Sequence, residues 1–148
     1  MRSDPDAVIA GVARALKPGG RFVAEMGGHG CVAAITVATV AVLEGYGVDA
    51  GGEIPWYFPT VADYRARLER AGFEVIYIEL IPRPTPLPTN MAGFLDTFGE
   101  PFFKLLPAAS RIAARDKVVA KLRPVLCDEQ GRWTADYMRL RFAARAVR

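Results

Sequence analysis

The apolar and polar positions of this chain change rhythm several times, and each change marks a new element. Val8, Ile9, Val12 and Leu16 recur at helical spacing behind Asp4-Pro5, an N-cap followed by the favoured first helical residue. Lys17 sits where a helix dipole favours a cation, and Pro18-Gly19-Gly20 ends the helix. Arg21 to Met26 then reads as a short strand. From Cys31 to Leu43 the chain is apolar on every side, interrupted only by Thr36 and Thr39, so periodicity alone does not separate helix from strand. Length favours helix, and the run falls short of the ~20 residues a membrane span needs, which predicts a buried helix rather than an anchor.

Gly45 to Pro59 is a glycine-studded loop carrying Trp56-Tyr57-Phe58. Thr60 with Asp63 makes a capping pair, Tyr64, Leu68 and Ala71 form an apolar stripe, and Gly72 closes the helix. Phe73 to Leu80 is apolar on both faces except at Glu74 and Glu79, as in a strand covered on both sides, and Ile81-Pro82-Arg83-Pro84-Thr85-Pro86-Leu87-Pro88 ends it. A helix through Met91, Phe94, Leu95 and Phe98 breaks at Pro101 and resumes with Phe102, Leu105 and Leu106. Another runs from about Ser110 to Leu126, bent or frayed by Pro124. After the turn Asp128-Glu129-Gln130-Gly131, Met138, Leu140, Phe142, Ala144 and Ala146 alternate with Arg139, Arg141, Ala143, Arg145 and Val147, a strand pattern.

Composition narrows the class. At 148 residues and 51% hydrophobic content the chain is expected to fold as one domain. Cys31 and Cys127 form no metal or redox spacing, and no basic segment with an apolar stretch opens the chain, so the expectation is a cytoplasmic protein with reduced thiols and no bound metal. The net charge of +3 is uneven, with ten basic and four acidic residues between Arg111 and Arg148. Arginines outnumber lysines fifteen to four in an Ala-, Gly- and Val-rich chain, which reads as codon bias and an ordinary solvated basic face rather than a nucleic-acid surface.

Leu16-Lys17-Pro18-Gly19-Gly20-Arg21-Phe22-Val23, with Asp4-Pro5-Asp6 before it and Glu25-Met26-Gly27-Gly28-His29-Gly30 after it, resembles the passage into the fifth strand of class I S-adenosylmethionine-dependent methyltransferases. Phe58-Pro59-Thr60-Val61-Ala62-Asp63-Tyr64, Leu68-Glu69-Arg70-Ala71-Gly72-Phe73, Arg83-Pro84-Thr85-Pro86-Leu87 and Gly131-Arg132-Trp133-Thr134-Ala135-Asp136-Tyr137 are similar to the trans-aconitate methyltransferase-like branch. The resemblance implies an α/β fold, the C-terminal half of a Rossmann-like domain. Its short, mostly antiparallel three-stranded sheet would use strands near 21–26, 73–80 and 138–147, the last lying between the other two. The family's glycine-rich cofactor loop and its two acidic strand ends have no counterpart in these residues. S-adenosylmethionine is therefore implied by the family but not expected to bind this chain alone.

Glu25 and His29 fall at or just past a strand's carboxyl end, where open α/β sheets place their sites, and are the catalytic candidates. His29 is the only histidine. It is suited to general-base work near neutral pH or is simply a solvent-facing loop residue. Gly28-His29-Gly30-Cys31-Val32-Ala33 also fits the dinucleotide pattern G-x-G-x-x-A, with Asp49 as its acid, but Glu44 to Ala50 is too glycine-broken for the required second strand. By the family resemblance Trp56, Tyr57 and Arg83 wall the substrate pocket, the guanidinium gripping a carboxylate. Alternatively the aromatics cover the core and Arg83 is solvated.

The resulting expectation is the substrate-side half of a methyltransferase acting on a small organic acid or similar metabolite, inactive alone. The alternatives are a non-catalytic dimerisation or binding module derived from such an enzyme, and a fragment of a longer methyltransferase. The unblunted Arg21 to Met26 edge predicts a homodimer through that strand, with no membrane partner.

Overall fold

The computed structural model describes residues 4–147, apart from the side chain of Glu53, so Arg148 of the basic end lies outside the described residues. They form two compact units, one of residues 4–31, 56–83 and 137–147, the other of residues 32–55 and 84–136.

The first unit is a three-stranded antiparallel sheet. Strands β1 (Arg21–Gly27) and β2 (Phe73–Pro82) flank the central strand β5 (Met138–Ala146), an order β1-β5-β2. Helix α1 (Pro5–Ala15) starts where Asp4 Oδ1 accepts the Ala7 N–H at 3.0 Å. Helix α3 (Val61–Arg70) starts where Thr60 Oγ1 accepts the Asp63 N–H at 3.2 Å. Their apolar stripes bury one sheet face: Ile9, Tyr64 and Leu68 pack with Phe73, Ile78, Leu140, Phe142 and Ala144, and Phe22, Ala24 and Met26 join them from β1. Burying these side chains is the main stabilising term of this unit.

The alternation along β5 sends Arg139, Arg141, Ala143 and Arg145 to the opposite face. There β2 differs from expectation, since its outer face is solvated: Ile76 is 56% exposed. A β-bulge adds to this, because Val75 pairs with Ala144 on the core face and Tyr77 with the adjacent Ala143, which leaves Ile76 unmatched and puts Tyr77 as well on the outer face. This strand also runs on through Ile81 to Pro82, beyond the predicted stop. It lies at a sheet edge, where a terminal proline forgoes no ladder hydrogen bond it needs.

The second unit is mostly helical: α2 (Ala33–Glu44), α4 (Met91–Phe98), α5 (Glu100–Phe103) and α6 (Ala108–Leu126), with a short pair of strands, β3 (Thr85–Pro86) and β4 (Thr134–Ala135). Pro86 therefore does join a strand, which the proline run argued against; a two-residue ladder asks little of its missing donor. Helix α2 is buried along Ile35, Thr39, Val42 and Leu43, and the Thr39 hydroxyl donates to the Ile35 carbonyl at 2.7 Å. Its far side is open, with Val37 67% exposed, so the wholly buried helix of the sequence reading is half-buried. Among the described residues no helix is long and apolar enough to cross a membrane.

Candidate functional site

At the end of the first unit's sheet where β1 finishes, the strand passes into Gly28-His29-Gly30. Two glycines are required there by close approach. A Cβ on Gly27 would lie 2.3 Å from the Phe58 ring, and one on Gly28 would lie 2.3 Å from Leu80 Cδ2 and 3.1 Å from the Leu140 nitrogen. Gly27 follows Arg21, Val23 and Glu25 on the open face, so Phe58 covers that face at the strand's end, and Trp56 stacks on Phe58 with centroids 5.9 Å apart.

Beside them stands a cluster of charges. Glu25 pairs in register with Arg141, and Gly27 with Arg139. The carboxylate accepts from Arg141 Nη2 at 2.7 Å and Nε at 3.0 Å through Oε2, and from Arg83 Nη1 at 2.6 Å through Oε1. The Arg141 hydrogen bond, more than the Arg83 charge, holds the Glu25 carboxyl below its usual range. Arg139 Nε lies 3.7 Å from the same Oε1, within ion-pair range but beyond hydrogen-bonding distance, and is a buried donor without a hydrogen-bond partner. Its guanidinium rests over the Tyr137 ring, 4.9 Å from the centroid.

Of the five residues singled out from the sequence, Glu25 and Arg83 are thus joined directly, and Trp56 is linked through Phe58 to Gly27. Tyr57 turns the other way: it packs with the sheet's core, its hydroxyl donates to Asp63 at 2.6 Å, and burial followed by that carboxylate raises its pKa well above the ordinary phenol value. His29 is exposed and is held by its backbone, whose N–H donates to the Pro59 carbonyl at 2.8 Å. Arg139, Arg141 and Phe58 were not singled out. The alternation of Arg139 with Arg141 was visible, but only the strand register shows that they face Glu25.

The G-x-G segment does not acquire the partners of a nucleotide cradle. The hydrogen-bonded neighbour of β1 among the described residues is the antiparallel β5, and Asp49 lies in a loop where it accepts the Gly51 N–H at 3.2 Å. Among the described residues no parallel second strand presents an acid to a ribose, so these residues do not fit S-adenosylmethionine held in the family's manner. Among the described residues there is also no group of three metal-ligating side chains.

In the second unit, the turn into α2 puts Val32 in the left-handed region at φ 49°. Asp136 holds it there, its carbonyl accepting the Val32 N–H at 2.9 Å and its Oδ2 the Ala34 N–H at 2.8 Å.

No protein-family model matches the chain. Over 142 residues it is 38% identical to a protein of Schizosaccharomyces pombe named "Uncharacterized methyltransferase C70.08c", a match spanning 93% of this chain and 54% of that protein. The chain thus covers about half the length of this curated relative. Among solved structures, a protein of Bacillus halodurans C-125 described as a "putative methyltransferase" aligns with a TM-score of 0.49 and 15% identity, over 95% of this chain and 57% of that one. The phosphoethanolamine N-methyltransferase 2 of Haemonchus contortus, in complex with phosphomonomethylethanolamine and S-adenosylhomocysteine, aligns with a TM-score of 0.40 and 17% identity, over 99% of this chain and 30% of that one.

Proposed function

We propose that the chain is the substrate-side half of a class I S-adenosylmethionine-dependent methyltransferase of the trans-aconitate methyltransferase-like branch, acting on a small organic acid. The observation that carries this is the sheet order: an antiparallel last strand inserted between the first two is the order that the sequence resemblance implies. The homology to a methyltransferase over half its length supports the same reading. At the carboxyl end of β1, Arg83 with Trp56 and its neighbours offers cationic and aromatic contacts to an acid, Tyr57 braces the loop from behind, and Glu25 and His29 border the site. Methyl transfer from a sulfonium relies chiefly on positioning the acceptor, so few acid–base groups are needed.

The cofactor-holding half is to be supplied by further polypeptide, in the same chain or a second one. The 148-residue chain alone is then expected not to bind S-adenosylmethionine. Calorimetric titration tests this, and saturable binding tighter than about 100 μM, roughly −5.5 kcal/mol, contradicts it. With a cofactor half added in trans, methyl transfer to organic acids is the positive test, and Arg83→Lys, which keeps the charge and loses the fork, should weaken discrimination among acids. We infer in addition that the isolated chain forms a homodimer through the unpaired edge of β1.

A further inference from the structure

We propose that Arg139 is the residue that receives the acceptor's carboxylate, a guanidinium seated on Tyr137 whose hydrogen-bond donors no described residue uses. This rests on the reading of the chain as the organic-acid side of a methyltransferase, and it adds a specificity-determining residue to that site.

Arg141 donates to Glu25 Oε2 at 2.7 and 3.0 Å, and Arg83 donates to Oε1 at 2.6 Å. Arg139 makes no such bond. Its Nε stands 3.7 Å from Oε1, beyond hydrogen-bonding distance, and is buried without an acceptor. Its terminal nitrogens likewise have no hydrogen-bond partner among the described residues. The side chain is only 33% exposed, and a guanidinium so far covered with unused donors is unfavourable unless something outside these residues accepts from it. Because Nε is buried, an incoming ligand meets the terminal nitrogens, and a carboxylate is the group that accepts from both at once.

The fold presets the side chain for this role. The backbone just before it is pinned from both sides: the Gly28 N–H donates to the Met138 carbonyl at 3.0 Å and the Arg83 N–H to the Tyr137 carbonyl at 2.8 Å. The guanidinium lies 4.9 Å from the Tyr137 ring centroid, a seat that suits a planar cation and fixes its rotamer beforehand, so little freedom is lost when an acid binds. In register Arg139 stands between Gly27 of β1 and Ile81 of β2. Gly27 leaves its side of that row without a side chain, and the Phe58 ring covering it, with Ile81 opposite, offers apolar contact to the acid's carbon chain. Glu25, in the next row, is anchored on Arg141 through both Nε and Nη2 and does not reach Arg139.

The test titrates succinate into the 148-residue chain, with affinity read by calorimetry and the arginine side-chain N–H resonances followed by NMR. Succinate should bind, succinamide, which carries no carboxylate, should not, and the Arg139 resonances should shift at saturation. Arg139→Ala should weaken binding about tenfold, the loss of a charge-assisted hydrogen bond. Arg139→Lys keeps the charge without the fork and should recover only part of that loss. Arg145→Ala removes a like charge on the same strand, roughly 20 Å away, and should leave affinity within about twofold. Urea unfolding shows which variants are folded, and the Lys variant and the resonances of the unmutated chain decide the matter if the Ala variant is not. The proposal is overturned if succinate does not bind the unmutated chain, if succinamide binds equally well, or if the Arg139 resonances stay unmoved at saturation. It is overturned too if both Arg139 variants bind as the unmutated chain does, or if Arg145→Ala is as damaging as Arg139→Ala. None of these bears on the family reading, which stands or falls on methyl transfer with an added cofactor half.

Discussion

Arg83 and Glu25, 58 residues apart in sequence, meet at 2.6 Å although their strands are not neighbours. Strand β5 lies between them, and two strand spacings are about 10 Å, so the contact spans the row of β5 side chains that includes Arg139 and Arg141. A long side chain just past β2 and an acid on β1 are what can bridge it. The same geometry gathers three arginines around one carboxylate.

Removing Arg83 should change how Glu25 titrates. In Arg83→Ala the Glu25 carboxyl should rise towards its ordinary value yet stay below it, because Arg141 is the larger cause of the depression. A depressed folded-state pKa contributes stability that is full above the unfolded-state value and is lost as pH falls through the folded one. The part of the stability difference between Arg83→Ala and the unmutated chain that comes from Glu25 should therefore be present at pH 7 and be lost in acid, so the difference should shrink as pH falls. Carboxyl NMR and urea unfolding against pH check both points, and a difference that persists unchanged into acid contradicts the pairing.

Asp63 is the hub of the bracket behind the loop, receiving Tyr57 at 2.6 Å and Arg67 Nε at 3.1 Å, while Arg67 also reaches Asp6 at 2.7 Å. The Tyr57 hydrogen bond first, and then Arg67, lower its pKa. Asp63→Asn should cost about 1 kcal/mol at neutral pH after solvent screening, and less as pH falls through the depressed value. A double-mutant cycle with Tyr57→Phe should show coupling between the two positions.

The two glycines at the end of β1 should respond differently to alanine. At position 28 the new Cβ meets Leu140 backbone as well as a leucine methyl, so Gly28→Ala should destabilise by about 2 kcal/mol or more in urea unfolding. At position 27 the obstacle is the movable Phe58 ring, so Gly27→Ala should cost less but displace the Trp56–Phe58 stack. Trp56 fluorescence in a Trp133→Phe background reads that displacement.

Assembly through β1 is tested at Val23, which is 57% exposed at the middle of the edge. Twofold antiparallel pairing centred there sets Arg21 against the second copy's Glu25 and Val23 against itself. Val23→Lys then opposes two like charges and should dissociate the dimer while leaving the core face, built from Phe22, Ala24 and Met26, intact. Sedimentation at micromolar concentration decides it. A folded monomer of the unmutated chain, or a dimer indifferent to the lysine, sinks the idea.

Local physics made most elements readable in the sequence alone. The caps at Asp4 and Thr60, the breaks at Gly19-Gly20 and Gly72, and the twofold alternation from Met138 act over a few residues, and the structure uses each of them. Where the sequence misled, the missing information was a neighbour. The apolar runs at Phe73 and Cys31 implied cover on every side, whereas β2 lies at an edge with a bulge at Ile76 and α2 leaves Val37 in solvent. The candidate site divides in the same way: Glu25, Arg83 and Trp56 carried recognisable chemistry, yet nothing local separated Trp56 on the open face from Tyr57 against the core. Arg139 and Arg141 gained their meaning only through the register that sets them opposite Gly27 and Glu25. Register is set by pairing between distant segments, and so the charge cluster belongs to the tertiary structure while the elements that carry it belong to the sequence.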